Sequence, residues 1–252
     1  MTLWQGEFIS KTLSRTMTMS VILPQEIRQK NYPTLYLLHG FSDNASTWMR
    51  STSIERYALD KGLAVVMPSV DNSYYCDMVY GGDFWTYLTE EVLAISRSVF
   101  PLSEKQQNTF VAGNSMGGFG ALKWGLNHPE KFAAIASLSG VTDMVTHLDT
   151  IRNETGIKKD NLFQVFGDNT IEGTENDIIA LLHQLNQYNG SKPKIYQTCG
   201  TEDFLYPINQ NFYQASLQAP IDLTSDFPKG DHSWEFWDEK IKDIIDWLPI
   251  NR

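Results

Sequence analysis

A serine flanked by glycines stands out among the residues that could perform covalent chemistry. Gly113-Asn114-Ser115-Met116-Gly117 has the G-x-S-x-G pattern, and it lies between an apolar stretch typical of a strand and a helix-forming stretch at 121–124. In such a nucleophile elbow a sharp strand-to-helix turn exposes the serine hydroxyl, and the glycines avoid side chains that would crowd the turn. We therefore predict that Ser115 is a catalytic nucleophile; an ordinary tight turn is the alternative.

A serine hydroxyl needs a base, and the base needs a carboxylate that orients it. His232 follows the last predicted strand, which favours it as the base. Asp203 follows a buried strand and a glycine turn, so we predict it as the acid, with Glu202 and Asp143 as the alternatives. The chain order serine, acid, histidine is the one expected for a G-x-S-x-G enzyme built on a parallel sheet.

Acyl transfer to a serine also requires donors for the oxygen that becomes negatively charged. The backbone N–H of Met116, directly after Ser115, is the first candidate. The second is expected in the turn after the first buried strand, where Phe41 N–H is our choice and Gly40 is the alternative. For His39, in the same turn, we predict a structural role.

Four aromatic residues near these positions are candidates for the walls of a substrate pocket. They are Tyr74, Tyr75, Trp85 and Trp234. Large aromatic side chains are also frequent in protein cores, so burial in the core is the alternative for each of them.

The stretches around these residues predict a sheet that would bring them together. Continuous apolar runs at 34–38, 63–67 and 132–138 indicate strands buried on both faces. Residues 3–24 alternate apolar and polar side chains, which indicates an antiparallel hairpin. Strand and helix then alternate about five times, which predicts an α/β fold with a mostly parallel central sheet and helices on both faces. In such a sheet, reactive groups gather at the carboxyl ends of the strands.

The remaining elements complete one predicted domain. Helices are expected at 53–61, 84–99, 142–150, 175–188, 206–218 and 233–248, further strands at 194–199 and 221–224, and loops at 25–33 and 69–83. No repeat or linker divides the chain, so we predict a single domain over 1–252. Residues 140–190 are the least regular and are the candidate for a small lid or insertion.

The composition argues against several other classes of protein. A net charge of −10 disfavours nucleic acid as a partner, because phosphate binding needs a basic face. The chain has no nucleotide-binding or metal-binding motif, so we predict neither a metal nor a nucleotide cofactor. Cys76 and Cys199 form no paired motif and favour free thiols in a reducing compartment. Without a signal sequence or an apolar run of membrane-spanning length, we expect a cytoplasmic protein with no membrane span.

Five motifs resemble those of a known family in the same order. They are His39-Gly40-Phe41, Gly113-Asn114-Ser115-Met116-Gly117-Gly118, His128-Pro129-Glu130-Lys131-Phe132, Gly200-Thr201-Glu202-Asp203 and Gly230-Asp231-His232-Ser233-Trp234. Over nearly the whole chain they resemble the esterase D-type branch of the α/β-hydrolases, which includes S-formylglutathione hydrolases, feruloyl and acetylxylan esterases and mycolyltransferases. The likeness is strongest to small bacterial tributyrin esterases.

The resemblance implies an α/β-hydrolase fold and a full set of site residues. Ser115, Asp203 and His232 would form the triad, and Phe41 and Met116 would supply the oxyanion hole. Activity on short acyl chains and frequent homo-oligomers are also implied.

Residues and resemblance together predict a serine carboxylesterase that hydrolyses small-molecule esters through an acyl-enzyme intermediate. An S-formylglutathione hydrolase, or a carbohydrate acetyl or feruloyl esterase, would use the same triad. An acyltransferase is a further alternative, if an alcohol outcompetes water for the acyl-enzyme. A non-catalytic binding module on the same fold is the alternative from a different class.

Overall fold

One sheet of eight strands organises the part of the chain that the computed structural model describes, residues 2–24, 31–152, 155–219 and 221–250. The strands are β1 (Thr2–Ser10), β2 (Arg15–Leu23), β3 (Thr34–Leu38), β4 (Ala64–Pro68), β5 (Thr109–Asn114), β6 (Ala134–Leu138), β7 (Lys194–Thr198) and β8 (Leu223–Asp226). Their order across the sheet is β1-β2-β4-β3-β5-β6-β7-β8. The hairpin of β1 and β2 joins β4 antiparallel, and β3 to β8 pair parallel.

Helices cover both faces of this sheet. They are α1 (Thr47–Ser51), α2 (Ile54–Lys61), α3 (Phe84–Thr86), α4 (Leu93–Val99), α5 (Met116–Asn127), α6 (Met144–Arg152), α7 (Ile157–Phe166), α8 (Ile178–Leu185), α9 (Tyr206–Ser216) and α10 (Trp234–Trp247), and a π-helical turn (Tyr87–Val92) joins α3 to α4. The predicted α/β fold, with its mostly parallel sheet and N-terminal hairpin, is confirmed.

The core consists of one apolar cluster on each face of the sheet. Side chains alternate along β3: Leu35 and Leu37 pack in the cluster under α1, α2 and α10, while Tyr36 and Leu38 pack in the cluster under α5, α8 and α9. All five residues of β3 are buried, as expected for a central parallel strand. Burial on both faces explains why a continuous apolar run predicted this strand.

The N-terminal hairpin is anchored to the body of the protein through its turn. The carboxylate of Glu91, in the π-helical turn, accepts hydrogen bonds from the Ser10 hydroxyl and from Lys11 N–H, the latter at 2.7 Å. These bonds lower the pKa of Glu91 despite the opposing effect of its partial burial. A charge-assisted hydrogen bond of this kind holds the turn more firmly than a neutral one would.

The segment 140–190 is more helical than the sequence predicts. It contains α6, α7 and α8, and α7 has no counterpart among the predicted helices. The buried residues of α7 lie in its second half, while its first turn is exposed, so the helix lacks a continuous apolar stripe. The prediction of a lid or insertion here, and of one domain over 1–252, stays a prediction.

Two further findings concern the predicted loops and membrane segments. Most of the predicted loop at 25–33 falls at 25–30, outside the described residues. No helix in the described ranges is long and apolar enough to cross a membrane.

Gly113, in the elbow, and Gly125, near the end of α5, provide a test of the backbone packing. A Cβ on Gly113 would lie 2.3 Å from the backbone oxygen of Gly117, whereas a Cβ on Gly125 would lie 2.2 Å from the flexible Cδ1 end of Ile135. We expect Gly125→Ala to lower the free energy of unfolding by about 1–3 kcal/mol and Gly113→Ala to lower it by more, because backbone cannot move aside as a side-chain tip can. Urea unfolding of both variants measures the difference; equal losses would contradict this account.

Candidate active site

Ser115 occupies a strained turn between β5 and α5. Its φ of 52° lies in the left-handed region, which is unusual for a residue other than glycine. The turn is packed tightly against the neighbouring strand, since a Cβ on Gly117 would lie 2.3 Å from the backbone oxygen of Leu38. Ser115 N–H donates to Leu138 O at 2.9 Å, which fixes the turn to the end of β6. The local sequence therefore folds into the elbow that the motif predicts.

His232 lies within hydrogen-bonding distance of Ser115. The distance from Ser115 Oγ to His232 Nε2 is 3.0 Å, and that from His232 Nδ1 to Asp203 Oδ2 is 2.8 Å. Because an ionised carboxylate only accepts hydrogen bonds, Nδ1 carries the proton and Nε2 is free to accept the proton of a hydroxyl. The three side chains form a continuous chain of hydrogen bonds. In this arrangement His232 can accept the serine proton, and Asp203 can stabilise the resulting imidazolium.

Two loops that follow neighbouring strands carry Asp203 and His232, and these loops touch each other. A Cβ on Gly200, after β7, would lie 2.2 Å from the backbone oxygen of Gly230, after β8. Glu202 N–H also donates to Gly230 O at 2.8 Å. Gly200 therefore permits the close approach of the two loops, and this approach brings the Asp203 carboxylate to the His232 imidazole.

Asp203 is held in its ionised form at a buried position. Burial raises the pKa of this carboxyl, but the hydrogen bond and charge of His232 and the Leu205 N–H bond at 2.8 Å outweigh burial and lower the pKa overall. The other two candidate acids have different partners. Glu202 pairs with Lys229 on the surface at 3.5 Å, and Asp143 accepts from the Thr146 hydroxyl at 2.7 Å.

The predicted oxyanion donors lie at the two backbone segments that meet at Ser115. Met116 is the first residue of α5, so its N–H has no acceptor within the helix. The turn containing Phe41 passes close to the serine, since a Cβ on Gly40 would lie 3.6 Å from Ser115 Cβ. Neither N–H donates to another group in the described part of the chain. Two donors near one reactive hydroxyl could stabilise charge on a carbonyl oxygen.

His39 shapes this turn from beneath. It is fully buried, its Nδ1–H donates to Gly40 O at 2.8 Å, and its Nε2 accepts from Val70 N–H at 3.1 Å. The Tyr75 hydroxyl also donates to His39 O at 2.8 Å. Burial lowers the pKa of His39 to about 4, so the ring is neutral at neutral pH.

A cavity of about 350 Å³ opens at Ser115. Ser115, His232, Tyr74 and Trp234 lie in its wall. The other two predicted wall residues lie elsewhere, so the prediction for them is corrected. Tyr75 is fully buried, and its hydroxyl donates to the backbone oxygen of His39, in the turn that contains Phe41. Trp85 packs in the core, where its ring lies 4.2 Å from the buried Lys123 ammonium.

Several residues around the cavity have no place in the sequence prediction. Phe204 and Trp237 contact the His232 ring, with centroid distances of 4.5 and 4.9 Å. Trp237 lies three residues after Trp234 in α10, a spacing that could have identified it. His147 and Lys158 reach the cavity from α6 and α7, and their sequence context carries no comparable signal.

Comparison with known proteins agrees with this geometry. Residues 10–248 match the model of a family described as "Putative esterase". The chain belongs to this esterase family. An acetyl esterase of Caldicellulosiruptor saccharolyticus is 35% identical to it, and the match covers 98% of each chain.

Two solved structures of Staphylococcus aureus proteins resemble the esterase at 34% identity. One is a substrate-bound, fluorophosphonate-binding serine hydrolase, with a TM-score of 0.89 and 99% of each chain covered. The other is an S-formylglutathione hydrolase, with a TM-score of 0.86 and 98% of each chain covered. The predicted relationship to the esterase D-type branch is confirmed, and the protein is a carboxylic ester hydrolase.

The buried ring of His39 predicts a pH dependence of stability. Between pH 6.5 and about 4 the unfolded chain protonates this histidine and the native chain does not, so the free energy of unfolding falls as the pH falls. The shift corresponds to a total loss of about 3 kcal/mol over that range.

Urea unfolding between pH 7 and 5 measures this slope in the wild type and in His39→Gln. We expect a shallower slope in the variant, with a remainder from His147, whose pKa burial also lowers to about 4. An unchanged slope in His39→Gln would show that His39 is not kept neutral by burial.

Proposed function

We propose that the esterase is a serine carboxylesterase in which Ser115 is the nucleophile, His232 the base and Asp203 the residue that orients the base. The proposal rests on the two hydrogen bonds of His232. Its Nε2 lies 3.0 Å from Ser115 Oγ, and its Nδ1 lies 2.8 Å from Asp203 Oδ2. Both distances are within the reach expected for a nucleophile and its base. The position of Ser115 in the wall of a cavity supports the same assignment.

In the proposed acylation, Ser115 Oγ forms a bond to the ester carbonyl carbon while its proton passes to His232 Nε2. Asp203 stabilises the imidazolium that forms, and the N–H groups of Phe41 and Met116 donate to the carbonyl oxygen as it becomes negative. The bond between the carbonyl carbon and the leaving oxygen then breaks. His232 returns the proton to that oxygen, and the alcohol departs.

In the proposed deacylation, water takes the place of the alcohol. His232 Nε2 removes a proton from the water as the water oxygen bonds to the acyl carbon, and the same two N–H groups stabilise the second oxyanion. Breakage of the bond to Ser115 Oγ, with return of the proton from His232, releases the carboxylic acid. The free enzyme is thereby restored.

We further propose that the acyl group is short. The cavity of about 350 Å³ is at the small end of the range for ligand sites, and it must also accommodate part of the alcohol. An acetyl esterase among the relatives, at 35% identity, supports the same size class. Acetyl and butyryl esters, including tributyrin, are therefore the proposed substrates.

S-formylglutathione hydrolysis is the second candidate, because a structure carrying that name matches at 34% identity. A thioester would follow the same steps, with a thiolate as the leaving group. A profile of kcat/KM across acetyl, butyryl, octanoyl and feruloyl esters and S-formylglutathione separates the two. We expect the acetyl and butyryl esters to be the best substrates; a value for S-formylglutathione several orders of magnitude higher would favour the second candidate.

The assignment of the three residues is tested by substitution. We expect Ser115→Ala to remove nearly all turnover of p-nitrophenyl acetate, and Asp203→Asn to lower kcat by about 10⁴-fold, because it stabilises the wrong histidine tautomer. Glu202→Gln is the matched control, since it alters the adjacent carboxylate and should leave kcat within about twofold. Near-normal turnover in Asp203→Asn, or a large loss in Glu202→Gln, would contradict the assignment.

A further inference from the structure

A lysine from the unpredicted helix α7 reaches the cavity above Ser115. Lys158 is the second residue of that helix, its side chain is exposed, and it lies in the cavity wall. Its ammonium sits 4.9 Å from the centre of the Phe204 ring. None of the carboxylates in the described ranges forms an ion pair with it. The ammonium is therefore available to a ligand in the cavity.

The contacts of Phe204 place this ammonium on one particular side of the reactive serine. The Phe204 ring lies 4.5 Å, centre to centre, from the ring of His232. Under the proposed function, on which this inference rests, the leaving group must lie beside His232 because it receives a proton from Nε2. Lys158, above Phe204, is thus on the leaving-group side of the site.

Among the charged and titratable groups of the cavity wall, Lys158 supplies the positive charge on the leaving-group side. His147 is neutral at neutral pH, because burial and the nearby charge of Lys158 lower its pKa to about 4. Asp43 lies in the wall two residues after Phe41, on the side of the oxyanion turn. A negative group on the substrate would be repelled by Asp43 and attracted by Lys158. The net charge of −10 disfavours the approach of an anion, and the Lys158 ammonium opposes that effect locally.

We infer that Lys158 is a specificity-determining residue that favours esters whose leaving alcohol or thiol carries a carboxylate. The ammonium is positioned by the Phe204 ring to meet that carboxylate while the ester carbonyl lies over Ser115. Because the lysine is exposed, the pair is partly screened by water and the expected preference is modest.

The test uses two acetyl esters of similar shape, 4-acetoxybenzoate and its methyl ester, which differ in the charge of the leaving group. The quantity compared is the ratio of kcat/KM for the anionic ester to that for the neutral ester, so that differences in intrinsic reactivity cancel between variants. We expect Lys158→Gln to lower this ratio about three- to fivefold and Lys158→Arg to retain it. Lys159→Gln is the matched control and should leave the ratio unchanged.

A second measurement compares the wild type with Lys158→Gln as sodium chloride rises from about 0.05 to about 0.5 M. The advantage of the wild type over the variant in kcat/KM for the anionic ester should shrink, because salt screens the Lys158 ammonium, and the comparison on the neutral ester should not change. An unchanged ratio in Lys158→Gln, or the same change in Lys159→Gln, would overturn the role of Lys158. Failure of the wild type to hydrolyse either ester would instead overturn the proposed function, and this inference with it.

Discussion

The active-site region depends on one steric constraint, the close contact of α5 with the end of β3. Gly117 lies so near Leu38 that no side chain fits between them, and Gly113 lies equally near Gly117. Only a chain without side chains at both positions can reverse direction this sharply. The residue between them, Ser115, is consequently held at a φ of 52° with its hydroxyl within hydrogen-bonding distance of His232.

This constraint determines where the other groups must come from. With Ser115 fixed at the carboxyl end of a central strand, partners can reach it from the loops that follow neighbouring parallel strands. Asp203 and His232 follow β7 and β8, and the contact between Gly200 and Gly230 joins their two loops. The helix that begins after Ser115 contributes a backbone N–H at the same point. The site is thus assembled from the ends of parallel strands and the loops that follow them.

The sequence predicts the parts of this arrangement that depend on local patterns. The apolar run at 34–38 matches β3 to the residue, and the glycines around Ser115 predict the elbow. Asp203 and His232 could be proposed because each follows a strand. Glu202 could not be excluded by sequence, since adjacent residues in a loop differ only in the direction of their side chains.

The parts that depend on distant contacts could not be predicted. Tyr75 and Trp85 are as aromatic as Tyr74, and only the packed structure separates core from cavity wall. Helix α7 has a polar first turn, so its apolar pattern is weak and its lysine carries no signal of proximity to the cavity. Substrate preference depends on such residues. The sequence therefore predicts the type of reaction but not which ester is hydrolysed.

Labelling with a fluorophosphonate shows whether Ser115 is the activated nucleophile. Such a reagent bonds to a serine oxygen only where a base removes the hydroxyl proton. We expect the intact mass to increase by one phosphonyl group, peptide mapping to locate this group on Ser115, and hydrolysis of p-nitrophenyl acetate to be lost in proportion. An adduct on a different residue, or an unlabelled wild type that still hydrolyses the ester, would contradict this role of Ser115.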